Sequence, residues 1–229
     1  MRDIYDWRPQ IDDSPTRRKE NFPDIRDPMF WEFYAIGKRY SMLHVTGFFN
    51  IWSSVSYVCG RGIAGGFVEC GVWLGGASLF AALAFDHFGQ QRELLLYDTF
   101  AGFPKDSFDV KDGQKVRGPS YPSFRAAVEA NLREHGVERF RIVEGAVEAT
   151  LAEFRPAAIS ILRLDTDHYT STKAEMDHLF PILSPGGVLI VDDYGLYEGS
   201  RRAVDEHLAA HGAPMMLARI DKGIRTGIK

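Results

Sequence analysis

Cysteine is scarce in this sequence. The two present, Cys59 and Cys70, stand in apolar surroundings without a partner motif. A disulfide framework or a thiolate metal site would need spaced pairs, so both thiols read as buried and reduced, which favours the cytoplasm. Also lacking is any uninterrupted apolar run of about eighteen residues, the length that spans a bilayer as a helix. The opening MRDIYDWRPQIDDSPTRRKE mixes both charges and holds no apolar core of the signal-peptide kind, so neither export nor membrane anchoring is expected. There is no excess of basic charge: 27 Lys and Arg against 31 Asp and Glu leave a formal net charge of -4. That balance offers no footprint for neutralising phosphates, and a nucleic-acid partner is not expected. Neither an internal repeat nor a low-complexity tract is visible. What remains is 45% hydrophobic and 25% charged residues over 229 positions, the composition of one α/β domain with helical additions.

Residues 1–28 are rich in Asp, Arg and Pro and lack periodicity, as in an extended or mobile arm that is ordered only by docking elsewhere. From Pro28 to Arg61, aromatic and aliphatic residues recur at helical spacing (Phe30, Phe33, Tyr34, Tyr40, Leu43, Phe48, Ile51, Val55, Val58), which predicts two or three helices. This apolar segment has two possible covers, its own core or a second subunit, so a homo-oligomer is possible. After a glycine-rich stretch, GFVECGV predicts a buried strand and SLFAALAFDHF a helix. ELLLYDTF is a second strand, followed by a polar loop from Ala101 to Tyr121 of the length that usually serves function. SFRAAVEANLREHG is an amphipathic helix ending at Gly136, and FRIVEGAV a third strand. AAISILRLDTD is a fourth strand, STKAEMDHLFPIL a helix, and SPGGVLIVDDYG a turn plus a fifth strand. This β–α rhythm predicts a mostly parallel sheet covered on both faces, with ligands at the carboxyl ends of its strands. The expected organisation is an arm and helical extension over residues 1–63 and a catalytic domain over residues 64–229.

The first β–α turn, Glu69-Cys70-Gly71-Val72-Trp73-Leu74-Gly75-Gly76-Ala77-Ser78, departs from the G-x-G-x-x-G that admits a pyrophosphate. Its spacing suits a nucleoside without phosphate, and a methyl-donor nucleoside fits better than NAD. Gly71, Trp73, Gly75 and Ser78 are candidate donor contacts. Glu69 is either an acceptor for the donor's ammonium or an ordinary charge at a strand end. Asp98, closing the second strand, is placed to accept from both ribose hydroxyls. Ala146 and Val147, after the third strand, are candidates for an adenine slot or for plain hydrophobic packing.

Two strand ends are doubly acidic: Asp165 and Asp167 after the fourth, Asp192 and Asp193 after the fifth. If the strands are neighbours, about 4.8 Å apart, these carboxylates converge and repel. A hard divalent cation such as Mg²⁺ would resolve the repulsion. The competing reading has these aspartates capping helices or pairing with Arg163 or Arg201. An alcohol is a weak nucleophile at neutral pH, so a metal-bound acceptor oxygen and a neighbouring base are needed, with Asp167 the first candidate base and His168 the second. The other histidines show no ligand spacing, so zinc is not indicated.

Val68–Gly76 (VECGVWLGG), Leu96–Pro104 (LYDTFAGFP), Leu162–Thr172 (LRLDTDHYTST) and Pro185–Tyr194 (PGGVLIVDDY), followed by GSRRAVDEH, resemble the macrocin O-methyltransferase (TylF) family. The resemblance covers roughly residues 64–210. It implies a class I Rossmann-like methyltransferase fold, with a seven-stranded, mostly parallel sheet and an N-terminal helical extension. It further implies S-adenosylmethionine as methyl donor, Mg²⁺ dependence, and a small-molecule sugar hydroxyl as acceptor. Carried over by position, Glu69, Gly71 and Asp98 belong to the donor, Asp165, Asp192 and Asp193 to the metal, and Asp167 to the acceptor hydroxyl. His168 departs from the aromatic residue expected at its position. Three other readings compete with the sugar O-methyltransferase: a methyltransferase of catechol-like diols, a non-catalytic nucleoside-binding protein of the same fold, and a nicotinamide-dependent oxidoreductase.

Overall fold

A computed structural model describes residues 12–103, 109–111, 114–116, 120–212 and 214–229. In chain order its elements are α1 (Arg18–Asn21), α2 (Pro28–Gly37), α3 (Val45–Gly60), β1 (Gly66–Cys70), α4 (Gly76–His87), β2 (Leu94–Asp98), β3 (Asp109–Lys111) and β4 (Gln114–Val116). They continue with α5 (Arg125–Glu134), β5 (Phe140–Glu144), α6 (Val147–Glu153), β6 (Ile159–Leu164), α7 (Tyr169–His178), β7 (Leu183–Val191), α8 (Glu198–Ala210), β8 (Ala218–Arg219) and β9 (Arg225–Ile228).

The expected sheet is present: seven strands in the order β5-β2-β1-β6-β7-β9-β8, parallel from β5 to β7, with β9 antiparallel to both its neighbours. A parallel strand roofed by helices on both faces must be apolar on both, and every residue of β6 is buried. Alternation divides the core. Phe67, Ile161, Val188 and Ile190 face a cluster that includes α2, α3 and α4, while Val68, Leu162, Leu164, Leu189 and Val191 face one that includes α6, α7 and α8. The order in which strands are added to the sheet reverses between β1 and β6, the switch point where open α/β sheets bind ligands.

The aromatic segment turns inward. Pro28 occupies the first turn of α2, and the Asp27 carboxylate caps that helix by accepting from the Met29 amide at 2.9 Å. Phe30 then stands edge-on to Trp31, Phe49, Trp52 and Phe80, so α2 and α3 share one core with α4. The arm is docked over residues 12–27. Phe22 and Ile25 are buried, and Asp13 accepts from the Tyr34 hydroxyl and from Lys38. Residues 1–11 lie outside the described set.

Two local expectations are revised. The segment Ala101–Tyr121, read as a loop, contains the antiparallel hairpin β3–β4 and an isolated bridge between Gly102 and Ser120. Its residues 104–108, 112–113 and 117–119 lie outside the described set. The hairpin register pairs Lys111 with Gln114. The SPGG stretch is part of β7 rather than a turn before it, and the β6–β7 register shifts there. Among the described residues no helix is long and apolar enough to cross a membrane.

Gly71 joins β1 to the turn at φ +84°, and a Cβ there would lie 1.9 Å from the Asp165 carbonyl oxygen. Only glycine lets the ends of β1 and β6 approach this closely. Gly71→Ala is therefore expected to cost at least ~3 kcal/mol, a melting temperature roughly 6–12 °C lower for a chain of this size. Gly60→Ala, facing open space at the end of α3, should leave melting unchanged; equal melting of the two variants in calorimetry would refute the close approach.

Candidate active site

Period-two alternation brings Glu69 of β1, Arg163 of β6 and Asp192, the residue after β7, to the same face at the carboxyl edge of the sheet. Glu69 and Arg163 are direct cross-strand partners, and Leu164 pairs with Val191, so the residues after β6 and β7 emerge side by side. Arg163 is 3% exposed and bridges three carboxylates: Glu69 Oε1 at 2.5 Å, Asp165 Oδ2 at 2.6 Å and Asp192 Oδ1 at 2.9 Å. Burial disfavours its charge, but Asp165, Asp192 and Glu69 together hold the guanidinium pKa well above its usual value. Glu69 is fully buried and also accepts from the Ser78 hydroxyl. Burial pushes its pKa up against the lowering pull of Arg163 and Ser78.

Pairing with Arg163 does not exclude convergence. One oxygen each from Asp165, Asp192 and Asp193 lies within 4.8 Å of the others, the one such acidic group among the described residues. Asp165, with its side chain 29% exposed, has its pKa pushed up to about 8, chiefly by burial and then by Asp192 and Asp167 against the opposing pull of Arg163. Asp193 is raised well above the carboxylate range by burial, Asp167, Asp165 and Asp192. One guanidinium thus faces a clustered, all-oxygen set of carboxylates, and this chemistry fits a hard divalent cation.

The candidate base sits beside this set. The Asp167 amide donates to Asp193 Oδ2 at 3.3 Å, and its backbone is left-handed at φ +63°. His168 stands just before α7, is 4% exposed, and packs its ring 4.7 Å from that of Phe103.

On the donor side, Asp98 Oδ2 accepts from the amides of Val72 at 2.6 Å and Trp73 at 3.1 Å, while Oδ1 accepts from Phe100 at 2.7 Å. Asp98 therefore shapes the turn after β1. Trp73 is left-handed at φ +52°, with its ring against Tyr121 and Phe124. Gly75 stands at the start of α4 near Val128, and Ser78 is turned inward onto Glu69. A Cβ on Gly76 would lie 2.3 Å from the Gly37 carbonyl, so this glycine admits the end of α2. Ala146 is half-buried at the start of α6, whereas Val147 belongs to the core.

Sequence reasoning weighed Arg163 only as a competitor for the aspartates and passed over Phe103 and Glu175. A signal for Arg163 was present, since an arginine inside the apolar run ISILRL must bring its counter-ions with it.

The fold and site define a class I, S-adenosylmethionine-dependent O-methyltransferase. The chain belongs to the macrocin O-methyltransferase (TylF) family, whose model matches residues 36–225. It is 31% identical over 228 residues to 8-demethyl-8-(2,3-dimethoxy-alpha-L-rhamnosyl)-tetracenomycin-C 4'-O-methyltransferase of Streptomyces olivaceus, spanning 95% of this chain and 80% of that one. It is also 31% identical over 185 residues to mycinamicin III 3''-O-methyltransferase of Micromonospora griseorubida, spanning 76% and 72%. The solved O-methyltransferase NovP superposes with a TM-score of 0.73 at 27% identity, covering 83% of this chain and 82% of that one.

Asp165 and the buried Glu175, also pushed up to about 8, hold protons in the folded chain that the unfolded chain releases near pH 4. Folded pKa values above unfolded ones give stability that is lost as pH rises through about 8. Burial lowers the His207 pKa, so this residue is neutral in both states above neutrality and does not offset the loss. The protein is therefore expected to melt lower at pH 8.5 than at pH 7 in calorimetry. A melting temperature flat across this interval would contradict the burial of these two carboxyls.

Proposed function

We propose that this enzyme methylates a sugar hydroxyl of a small glycosylated metabolite, using Mg²⁺ held by Asp165, Asp192 and Asp193, with Asp167 as general base. The observation that carries the reading is the convergence of three carboxylate oxygens within 4.8 Å at the carboxyl edge of β6 and β7. The sugar acceptor is supported by the Streptomyces olivaceus relative, whose name places its methylation on a rhamnosyl-bearing tetracenomycin.

A bound cation would lower the pKa of the acceptor hydroxyl and fix its direction. The chain's own residues supply the rest. Asp167, beside Asp193, receives the hydroxyl proton as the oxygen takes the methyl group from the donor sulfur. Glu69, Asp98 and the turn through Gly71, Trp73, Gly75 and Ser78, with Ala146 beyond the third parallel strand, would receive the donor nucleoside. Arg163 orients Glu69, Asp165 and Asp192 together, so the donor and acceptor halves share one rigid frame. His168, against Phe103, would line the acceptor side.

Methyl transfer should be abolished by EDTA and restored by Mg²⁺ in a screen offering nucleotide sugars, glycosylated macrolides and simple catechols, with turnover on the sugar compounds. Asp167→Asn should lower kcat by about 10²–10⁴-fold while donor-product affinity stays unchanged. Turnover indifferent to chelation would overturn the cation; turnover confined to catechols would overturn the sugar.

A further inference from the structure

Glu175 lies on α7, completely enclosed. Its Oε1 accepts the Thr166 hydroxyl at 2.9 Å, and Oε2 has no hydrogen-bond partner among the described residues. A buried, unsatisfied oxygen costs roughly 1–3 kcal/mol, and a leucine would occupy much the same volume without that cost. Packing does not require a carboxyl group there, since Met176 and Leu179 already anchor this stretch to the core.

What the group holds is the turn leaving β6. Thr166 stands between Asp165 and Asp167, and Asp167 adopts a left-handed backbone at φ +63°, a conformation that costs about 1–3 kcal/mol outside glycine and persists only where the surroundings enforce it. Backbone bonds fix the start of the turn through Asp165 to the Cys70 carbonyl at 2.8 Å and close it through His168 to the Thr166 carbonyl at 2.7 Å. The Asp167 amide leans on Asp193, itself one of the clustered carboxylates. The Thr166–Glu175 hydrogen bond ties the middle of the turn to a helix outside that cluster.

We infer that Glu175, acting through Thr166, is a positioning residue that holds the Asp165–Asp167 turn so that Asp165 faces the cation and Asp167 the acceptor. The inference rests on the cation reading above. Glu175 touches neither ligand, so its effect should separate cation binding from donor binding and from stability.

The test uses the full-length chain with S-adenosylhomocysteine bound, Mn²⁺ affinity read by electron paramagnetic resonance, donor-product affinity by calorimetry, and melting by scanning calorimetry. Glu175→Leu and Thr166→Val should weaken Mn²⁺ binding about 10–100-fold, the usual effect of losing a partner that orients a ligand, with donor-product affinity unchanged. Glu175→Leu should melt no lower than the parent protein. Glu175→Gln, whose amide oxygen still accepts from Thr166, should bind Mn²⁺ like the parent. Parent-like Mn²⁺ binding by folded Glu175→Leu and Thr166→Val overturns the inference and leaves the cation reading standing. Loss of donor-product affinity in parallel with Mn²⁺ also overturns it, as a general defect. Absence of Mn²⁺ binding in the parent protein overturns both. Should Glu175→Leu fail to fold, Thr166→Val against Glu175→Gln decides.

Discussion

One buried guanidinium holds the working edge of this protein together. Arg163 reaches Glu69 at the end of β1, Asp165 after β6 and Asp192 after β7, each at 2.5–2.9 Å. Arginine suits the position because its planar fork offers five donors in fixed directions and stays charged when enclosed. Loss of one partner from such a buried pair leaves an uncompensated charge, a cost of roughly 3–5 kcal/mol. The ends of three strands are therefore fixed relative to one another. Burial first, and then the crowding of like charges, raises the pKa values of Asp165 and Asp193. The same interaction that orders the edge gathers the carboxylates that we propose hold a cation.

The backbone is arranged to make that edge possible. Gly71 lets β1 and β6 finish in contact, and Asp98 anchors the following turn by accepting from two consecutive amides. The non-glycine residues with left-handed backbones among those described, Trp73, Phe100 and Asp167, follow β1, β2 and β6 in turn. Strain of this kind persists where surrounding structure over-determines it, and here it gathers on one edge of the sheet. The helical extension contributes from behind: Phe30, Phe48 and Phe80 pack α2 and α3 onto α4, the helix that carries Ser78 toward Glu69.

Much of this was legible in the sequence. Parallel strands roofed on both faces must be continuous apolar runs, so the β–α rhythm and the strand ends could be read directly, and paired aspartates at two such ends announced convergence. The glycine turn was legible as a turn, but its cause was not: Gly71 yields to the Asp165 carbonyl and Gly76 to the Gly37 carbonyl, contacts between segments distant in sequence that no local pattern encodes. The hairpin β3–β4 was missed because a charged, glycine-containing stretch resembles a loop. Capping and pairing with Arg163 were weighed against metal binding as alternatives, whereas the pairing and the convergence coexist. Glu175 was invisible because a single acidic residue in a helix is ordinarily solvated; only the packing of α7 shows it enclosed.

We propose that Asp165, Asp192 and Asp193 form a cation site adjoining the methyl donor. Crystals grown with S-adenosylhomocysteine and Mn²⁺, with diffraction recorded at the manganese absorption edge, test it most directly. One strong anomalous peak is expected within bonding distance of those three carboxylates, with Arg163 still bridging Glu69 and Asp192. A donor-bound crystal whose anomalous map is empty there, or whose peak lies elsewhere, would contradict it.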